Sequence, residues 1–157
     1  MQKIIPFLWF DDRAEEAVAF YTSIFKDSKA GRITRFGPGG YRPEGMVMTA
    51  SFELNGIQFT ALNGGPEYHF TPAISLFVHC ASQDEVDYYW DKLSQGGEPG
   101  PCGWLTDKFG VSWQVVPSAL LAMLDDPDPE KVRRVTQAML QMGKLELGEL
   151  EAAYAGK

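Results

Sequence analysis

The chain has 157 residues, 45% of them hydrophobic and 13% aromatic, which is enough to bury a core without disulfide staples and excludes a disordered segment. Its 14 Lys and Arg are scattered against 21 Asp and Glu, for a net charge of −7, so nucleic acid, which needs clustered cations, is not an expected partner. No apolar run reaches membrane-span length, Met1 to Pro6 carries no signal-peptide pattern, and Cys80 and Cys102 lack metal or disulfide-framework spacing, so a cytoplasmic protein with reduced thiols and no membrane partner is expected.

Lys3 to Phe10 reads as a strand, with Pro6 near its start where a missing donor is tolerable at a sheet edge. A helix follows: Asp12 and Glu15 have capping-box spacing, and Ala14, Ala17, Val18, Tyr21 and Phe25 share one helical face. Ile33 to Phe36 is a short strand, and Gly37-Pro38-Gly39-Gly40 marks a loop. Val47 to Leu54 and Ile57 to Leu62 flank Asn55-Gly56, the dipeptide that favours a two-residue type I′ hairpin. Asn63-Gly64-Gly65-Pro66 then breaks the pattern and links to the strand Ala73 to Cys80. Ser82 and Glu85 form a second capping box, Val86, Tyr89, Trp90 and Leu93 make a helical stripe, and Gly96-Gly97 ends it. Short strands near Glu98 and Trp104 and a firmer one from Val111 to Val116 follow. After Pro117 the chain turns helical over Ala119 to Leu124, breaks at Asp125 to Pro129, resumes with Val132, Val135, Met139 and Met142 on one face, and closes with Leu147, Leu150 and Tyr154.

This order contains a repeat. Leu8-Trp9-Phe10 with Val18, Phe20, Tyr21 and Phe25 recurs as Leu76-Phe77-Val78 with Val86, Tyr88, Tyr89 and Leu93, at a constant offset from Leu8 to Leu76 and from Phe25 to Leu93. Gly56 to Leu62 is echoed by Gly110 to Val116 at a shorter offset, because the second copy has a shorter middle. The repeat predicts two βαβββ modules sharing a sheet, residues 3–63 and 73–117, in one α+β domain spanning 1–117. Residues 118–157 form a helical C-terminal extension whose apolar stripes must be buried on the domain or on a partner subunit.

Side chains alternate across a strand, so parity sorts these residues into two faces. One set, Ile4, Leu8, Phe10, Ile57, Phe59, Ala61, Ile74, Leu76, Val78, Val111, Trp113 and Val115, is apolar throughout and suits the core beneath the two helices. The other, Ile5, Phe7, Trp9, Gln58, Thr60, Leu62, Ala73, Ser75, Phe77, His79, Ser112, Gln114 and Val116, mixes aromatic and polar groups. Small-molecule pockets combine apolar walls with a few orienting polar groups in this way; the competing assignment packs this face against the C-terminal helices.

The duplication resembles the vicinal oxygen chelate superfamily, which includes glyoxalase I, bleomycin-resistance proteins and extradiol dioxygenases. Phe7-Leu8-Trp9-Phe10-Asp11, Leu62-Asn63-Gly64-Gly65-Pro66, Ser75-Leu76-Phe77-Val78, Cys102-Gly103-Trp104, Asp107-Lys108-Phe109-Gly110-Val111-Ser112-Trp113-Gln114 and Ala138-Met139-Leu140 are similar to its PhnB-like branch, whose members carry the name 3-demethylubiquinone-9 3-methyltransferase-like. The resemblance implies paired modules forming a cupped mixed sheet that holds a ligand, often in a homodimer. It also implies that metal ligands, where a member has them, come from the first and last strands of each module. The corresponding positions are Ile5, Thr60, Ala73 and Gln114. None offers the imidazole or carboxylate that such a site needs, so no metal site and no cofactor is expected. A methyl-donor site built on a glycine-rich strand–helix turn is not expected either, because Gly37 to Gly40 leads into no helix.

The expected ligand site is lined by Phe7, Trp9, Phe70, Phe77 and Trp104 as walls for a small aromatic or amphipathic molecule, with Thr60, Asn63, Ser75 and Gln114 as hydrogen-bonding groups. His69 is the candidate general base, His79 reads as a solvated histidine, and Cys102 reads as a packed thiol with no histidine placed to activate it. Three functions therefore stand open: a metal-free small-molecule-binding protein; an enzyme using a displaced metal or an acid–base pair with His69; and an interaction module whose cup is filled by its own tail.

Overall fold

The computed structural model describes residues 2–157 and divides into two compact units, the first ending at Phe70 and the second running from Thr71 to Lys157. Each module has its own four-stranded sheet rather than a share of one.

The first unit contains β1 (Phe7–Phe10), α1 (Ala14–Ile24), β2 (Ser28–Arg35), β3 (Val47–Leu54) and β4 (Ile57–Asn63), in the sheet order β1-β4-β3-β2. β1 runs parallel to β4, and the other pairs are antiparallel. Ala14, Ala17, Val18, Tyr21 and Ile24 on α1 are buried with Ala50, Phe52, Leu54, Phe59 and Ala61 of the sheet; the Tyr21, Phe52 and Phe59 rings stack in sequence. Asn55 and Gly56 both take positive φ, 48° and 81°, as the type I′ turn between β3 and β4 requires.

Two local expectations are corrected in this unit. Asp12 does not cap α1: Arg13 occupies the N-cap without a side-chain bond. The cap comes instead from the end of β4, where Asn63 Oδ1 accepts from Ala14 N at 2.8 Å and Asn63 Nδ2 donates to Glu15 Oε1 and Val47 O. The second strand also differs: β2 runs from Ser28 to Arg35 rather than from Ile33 to Phe36. β2 is an edge strand whose Lys29 to Arg32 segment is exposed and whose register shifts between Ala30 and Ile33, so it carries no alternating signature.

The second unit contains β5 (Ser75–Cys80), α2 (Gln83–Ser94), β6 (Glu98–Pro99), β7 (Trp104–Thr106) and β8 (Ser112–Pro117), in the order β5-β8-β7-β6, again with the first and last strands parallel. Here the expected residues do the capping: Ser82 Oγ accepts from Glu85 N at 3.3 Å, while Glu85 Oε2 accepts from Ala81 N, one residue before the N-cap, at 2.7 Å. The β7–β8 connection is built around Asp107, a buried carboxylate with three donors. Its Oδ1 accepts from Phe109 N and Val111 N, and its Oδ2 accepts from Trp113 Nε1 at 2.8 Å.

The extension forms α3 (Ser118–Leu124), α4 (Pro129–Leu140) and α5 (Leu147–Ala155). Asp128 caps α4, with Pro129 opening the helix, and Arg134 donates to Ala153 O and Tyr154 O at the end of α5. Leu120, Met123, Val135, Leu145 and Leu150 bury one cluster together with Val116 at the end of β8. The tail's stripes are thus buried within its own unit.

The parity argument holds in the middle of the strands and fails at their ends. Phe10, Phe59, Ala61, Val78, Trp113 and Val115 are buried, but Ile4 and Ile74 are 83% and 77% exposed and Ile57 is half exposed. Ile4 and Ile74 precede the paired stretches of β1 and β5, and Ile57 begins β4, so the helices do not cover them. Among the described residues, no helix is long and apolar enough to cross a membrane.

Candidate ligand-binding face

In the second unit, register groups side chains from three strands on one sheet face. Phe77 on β5 pairs with Gln114 on β8, which pairs with Trp104 on β7, so three side chains from three strands form a row. The next row is Ser75, Ser112 and Thr106. Gln114 Nε2 donates to Ser75 Oγ at 2.9 Å, which joins the two rows. Beside them lies a cavity of about 370 Å³ lined by Pro72, Gly100, Pro101, Trp104, Leu105, Thr106 and Ser112. Phe77 is 39% exposed and Trp104, Ser75 and Gln114 are half-buried, so the face is not packed out by the tail, whose buried cluster includes Val116 at the far end of β8.

Sequence reasoning placed Ser75, Phe77, Trp104 and Gln114 together, and the structure sets all four on this face. It did not place Pro72, Thr106 or the Gly100-Pro101 wall there. The signal for Thr106 is its parity with Trp104; Pro72 and Gly100-Pro101 belong to connections that have no period to read.

In the first unit the expected residues divide. Phe7 pairs with Thr60 across β1 and β4, with Phe7 59% exposed and Thr60 half-buried, so both remain on an open face. Trp9 is engaged by its own unit: its Nε1 donates to Gly65 O at 2.9 Å, and Tyr68 meets its ring edge-on at 5.0 Å. Gly64 lies flat on the indole, where a Cβ would stand 2.3 Å from a ring carbon, which accounts for the glycine. Phe70 packs against Phe10 at 5.1 Å. Asn63 is a correction to the expected hydrogen-bonding set, because it is buried and its carboxamide serves α1, Glu15 and Val47.

His69 is exposed in the link after β4. His79 is exposed on β5, with its ring 4.8 Å from that of Phe77. Cys80 is fully buried, and that burial pushes its thiol up to about 12, so it is inert as a nucleophile at neutral pH. Cys102 is half-buried, with φ 58° in the turn before β7. Among the described residues, no three His, Cys, Asp or Glu side chains are grouped to hold a metal ion. The positions where metal-dependent relatives of the superfamily carry ligands do not fit one: Ile5 and Ala73 precede their strands, Thr60 offers a hydroxyl, and the Gln114 amide donates to Ser75.

Comparison with known proteins agrees with this architecture. Residues 2–116 match the family profile of 3-demethylubiquinone-9 3-methyltransferase, which stops where the C-terminal helices begin. A PhnB protein from Bacillus cereus, described as a 3-demethylubiquinone-9 3-methyltransferase, is 41% identical over 74% of this chain and 99% of its own, with a TM-score of 0.66. Protein PA1353 from Pseudomonas aeruginosa, 21% identical over 74% of this chain and 98% of its own, shares the fold at a TM-score of 0.61. The fosfomycin resistance protein FosX from Listeria monocytogenes does so at 0.51, with 16% identity over 72% of this chain and 89% of its own. No curated protein matches. The chain belongs to the PhnB-like 3-demethylubiquinone-9 3-methyltransferase family.

Proposed function

We propose that this chain is a small-molecule-binding protein whose site is the Phe77–Gln114–Trp104 face of the second unit, working without a divalent metal. The observation that carries this reading is the register. One row places two aromatic rings around an amide, the next adds Ser75, Ser112 and Thr106, and the adjoining cavity has room for a molecule of one or two rings. Among the described residues the Gln114 amide oxygen has no hydrogen-bond partner, so it is free to accept from a ligand hydroxyl or amine while its nitrogen is held by Ser75. Trp104 and Phe77 supply flat walls, which suits a planar aromatic compound with one polar substituent.

The family's name speaks of methyl transfer. In this chain Gly37 to Gly40 joins β2 to β3, strand to strand, and so does not build the strand–helix turn on which a methyl-donor nucleotide commonly sits. Binding is therefore the function proposed.

A titration tests the reading. Phenol, indole, 2-naphthol and 8-anilinonaphthalene-1-sulfonate are added in turn to the wild-type chain and to Gln114→Ala, and heats of binding are measured. The reading expects saturable binding of at least one compound, weakened about tenfold by the substitution with no change in unfolding midpoint, as for loss of one well-placed hydrogen bond. Absence of binding across the panel, or equal binding by the variant, contradicts it.

A further inference from the structure

We infer that the C-terminal extension is a working part of this site, because it locks the turn that forms one wall of the cavity. The inference rests on the binding reading above and adds to it a positioning role for Gln83. The wall runs from Gly100 to Trp104, and its centre is conformationally demanding: Cys102 has φ 58°, a region that a residue with a side chain rarely enters, and Gly103 has φ 83°. Such a turn persists when its surroundings over-determine it. The extension supplies those surroundings. Cys102 N donates to Met142 O and Gly103 N to Gly143 O, both at 2.8 Å, so two consecutive amides of the wall are held by two consecutive carbonyls of the segment between α4 and α5. Leu145 closes over Gly103, where a Cβ would stand 2.9 Å from its Cδ1.

That segment is itself clamped. Gln83, in the first turn of α2, uses both ends of one amide: Nε2 donates to Leu145 O at 3.0 Å, and Oε1 accepts from Leu147 N at 2.7 Å. Lys144 adds an ion pair to Asp87 one turn further along α2, at 2.7 Å. The path runs from Gln83 through Leu145 to Gly103 by packing, and through Gly143 and Met142 to Gly103 and Cys102 by hydrogen bonds. The consequence of the lock is selectivity: a fixed wall admits ligands by size.

Gln83→Ala removes the clamp while leaving every cavity-lining residue in place, and Leu145→Val provides a second, milder variant. Amide hydrogen exchange is followed in both full-length chains, together with binding of 2-naphthol and phenol. The lock predicts exchange at residues 102–104 raised about tenfold with β5 unchanged, and a several-fold loss of the 2-naphthol preference over phenol. Unchanged protection at 102–104 overturns the lock. Loosened protection with an unchanged 2-naphthol-to-phenol ratio overturns its role in selectivity. A wild-type chain that binds neither compound sinks the binding reading and this role with it, while exchange at 102–104 still decides whether the tail holds the turn.

Discussion

Asn63 caps a helix that starts 49 residues before it: its Oδ1 accepts from Ala14 N at 2.8 Å, within a fully buried side chain. The same amide reaches Glu15 and Val47 O, so one side chain ties β4, α1 and β3 together. In the second module the helix is capped locally by Ser82, and the residue matching Glu15, Gln83, turns to the C-terminal extension instead. The repeat thus keeps its backbone plan while its polar connections have diverged.

Asn63→Ala should destabilise the chain by about 1–3 kcal/mol, since it removes the acceptor of the buried Ala14 amide and the bond to Val47 O. Urea unfolding followed by far-UV circular dichroism measures this. A loss well under 0.5 kcal/mol would mean that water replaces the amide at little cost.

Asp107→Asn tests the carboxylate at the β7–β8 turn. Two of the three donors to Asp107 are backbone amides and the third is the Trp113 indole, so an amide nitrogen at this position must face a donor whichever way it flips. The expected cost is about 2–4 kcal/mol, measured by urea unfolding. Asp107 and Trp113 both lie in the stretch by which the chain resembles its family, and this contact gives that motif a structural reason.

Acid should weaken two contacts made by the extension. The Tyr154 hydroxyl donates to Asp126 and holds that carboxyl below the usual range, and the Lys144 ammonium, then Gln83, does the same for Asp87. A folded pKa below the unfolded one gives stability that is present above about pH 4 and is lost as pH falls through the folded value. Tyr154 is shifted up by the same bond to Asp126, so its contribution is present below about pH 10 and lost above the folded value. Thermal midpoints of wild type and Asp87→Ala/Asp126→Ala should therefore differ at pH 6 and converge toward pH 3. A gap that stays constant with pH would remove these pairs from the account.

The modules, the Asn55-Gly56 hairpin and the Ser82 cap were legible because each depends on residues close in sequence. The Asn63 cap was not, because its two halves meet only when β4 lies beside the start of α1. Only the end of β2 from Ile33 was legible, and its Ser28 to Arg32 half was not, because an exposed, bulged edge strand need not alternate. At the site, parity brought Ser75, Phe77, Trp104 and Gln114 together because they lie on paired strands. It could not show that Trp9 is covered by Gly64 and Tyr68, a contact made by the link after β4.

The most direct test of the central claim is a crystal structure of the chain grown with the tightest-binding compound of the aromatic panel. The account predicts density for a ring against Trp104 and Phe77, with a polar substituent within hydrogen-bonding distance of the Gln114 amide oxygen. Density for the ligand on another surface, with the Phe77–Gln114–Trp104 row left bare, would contradict it.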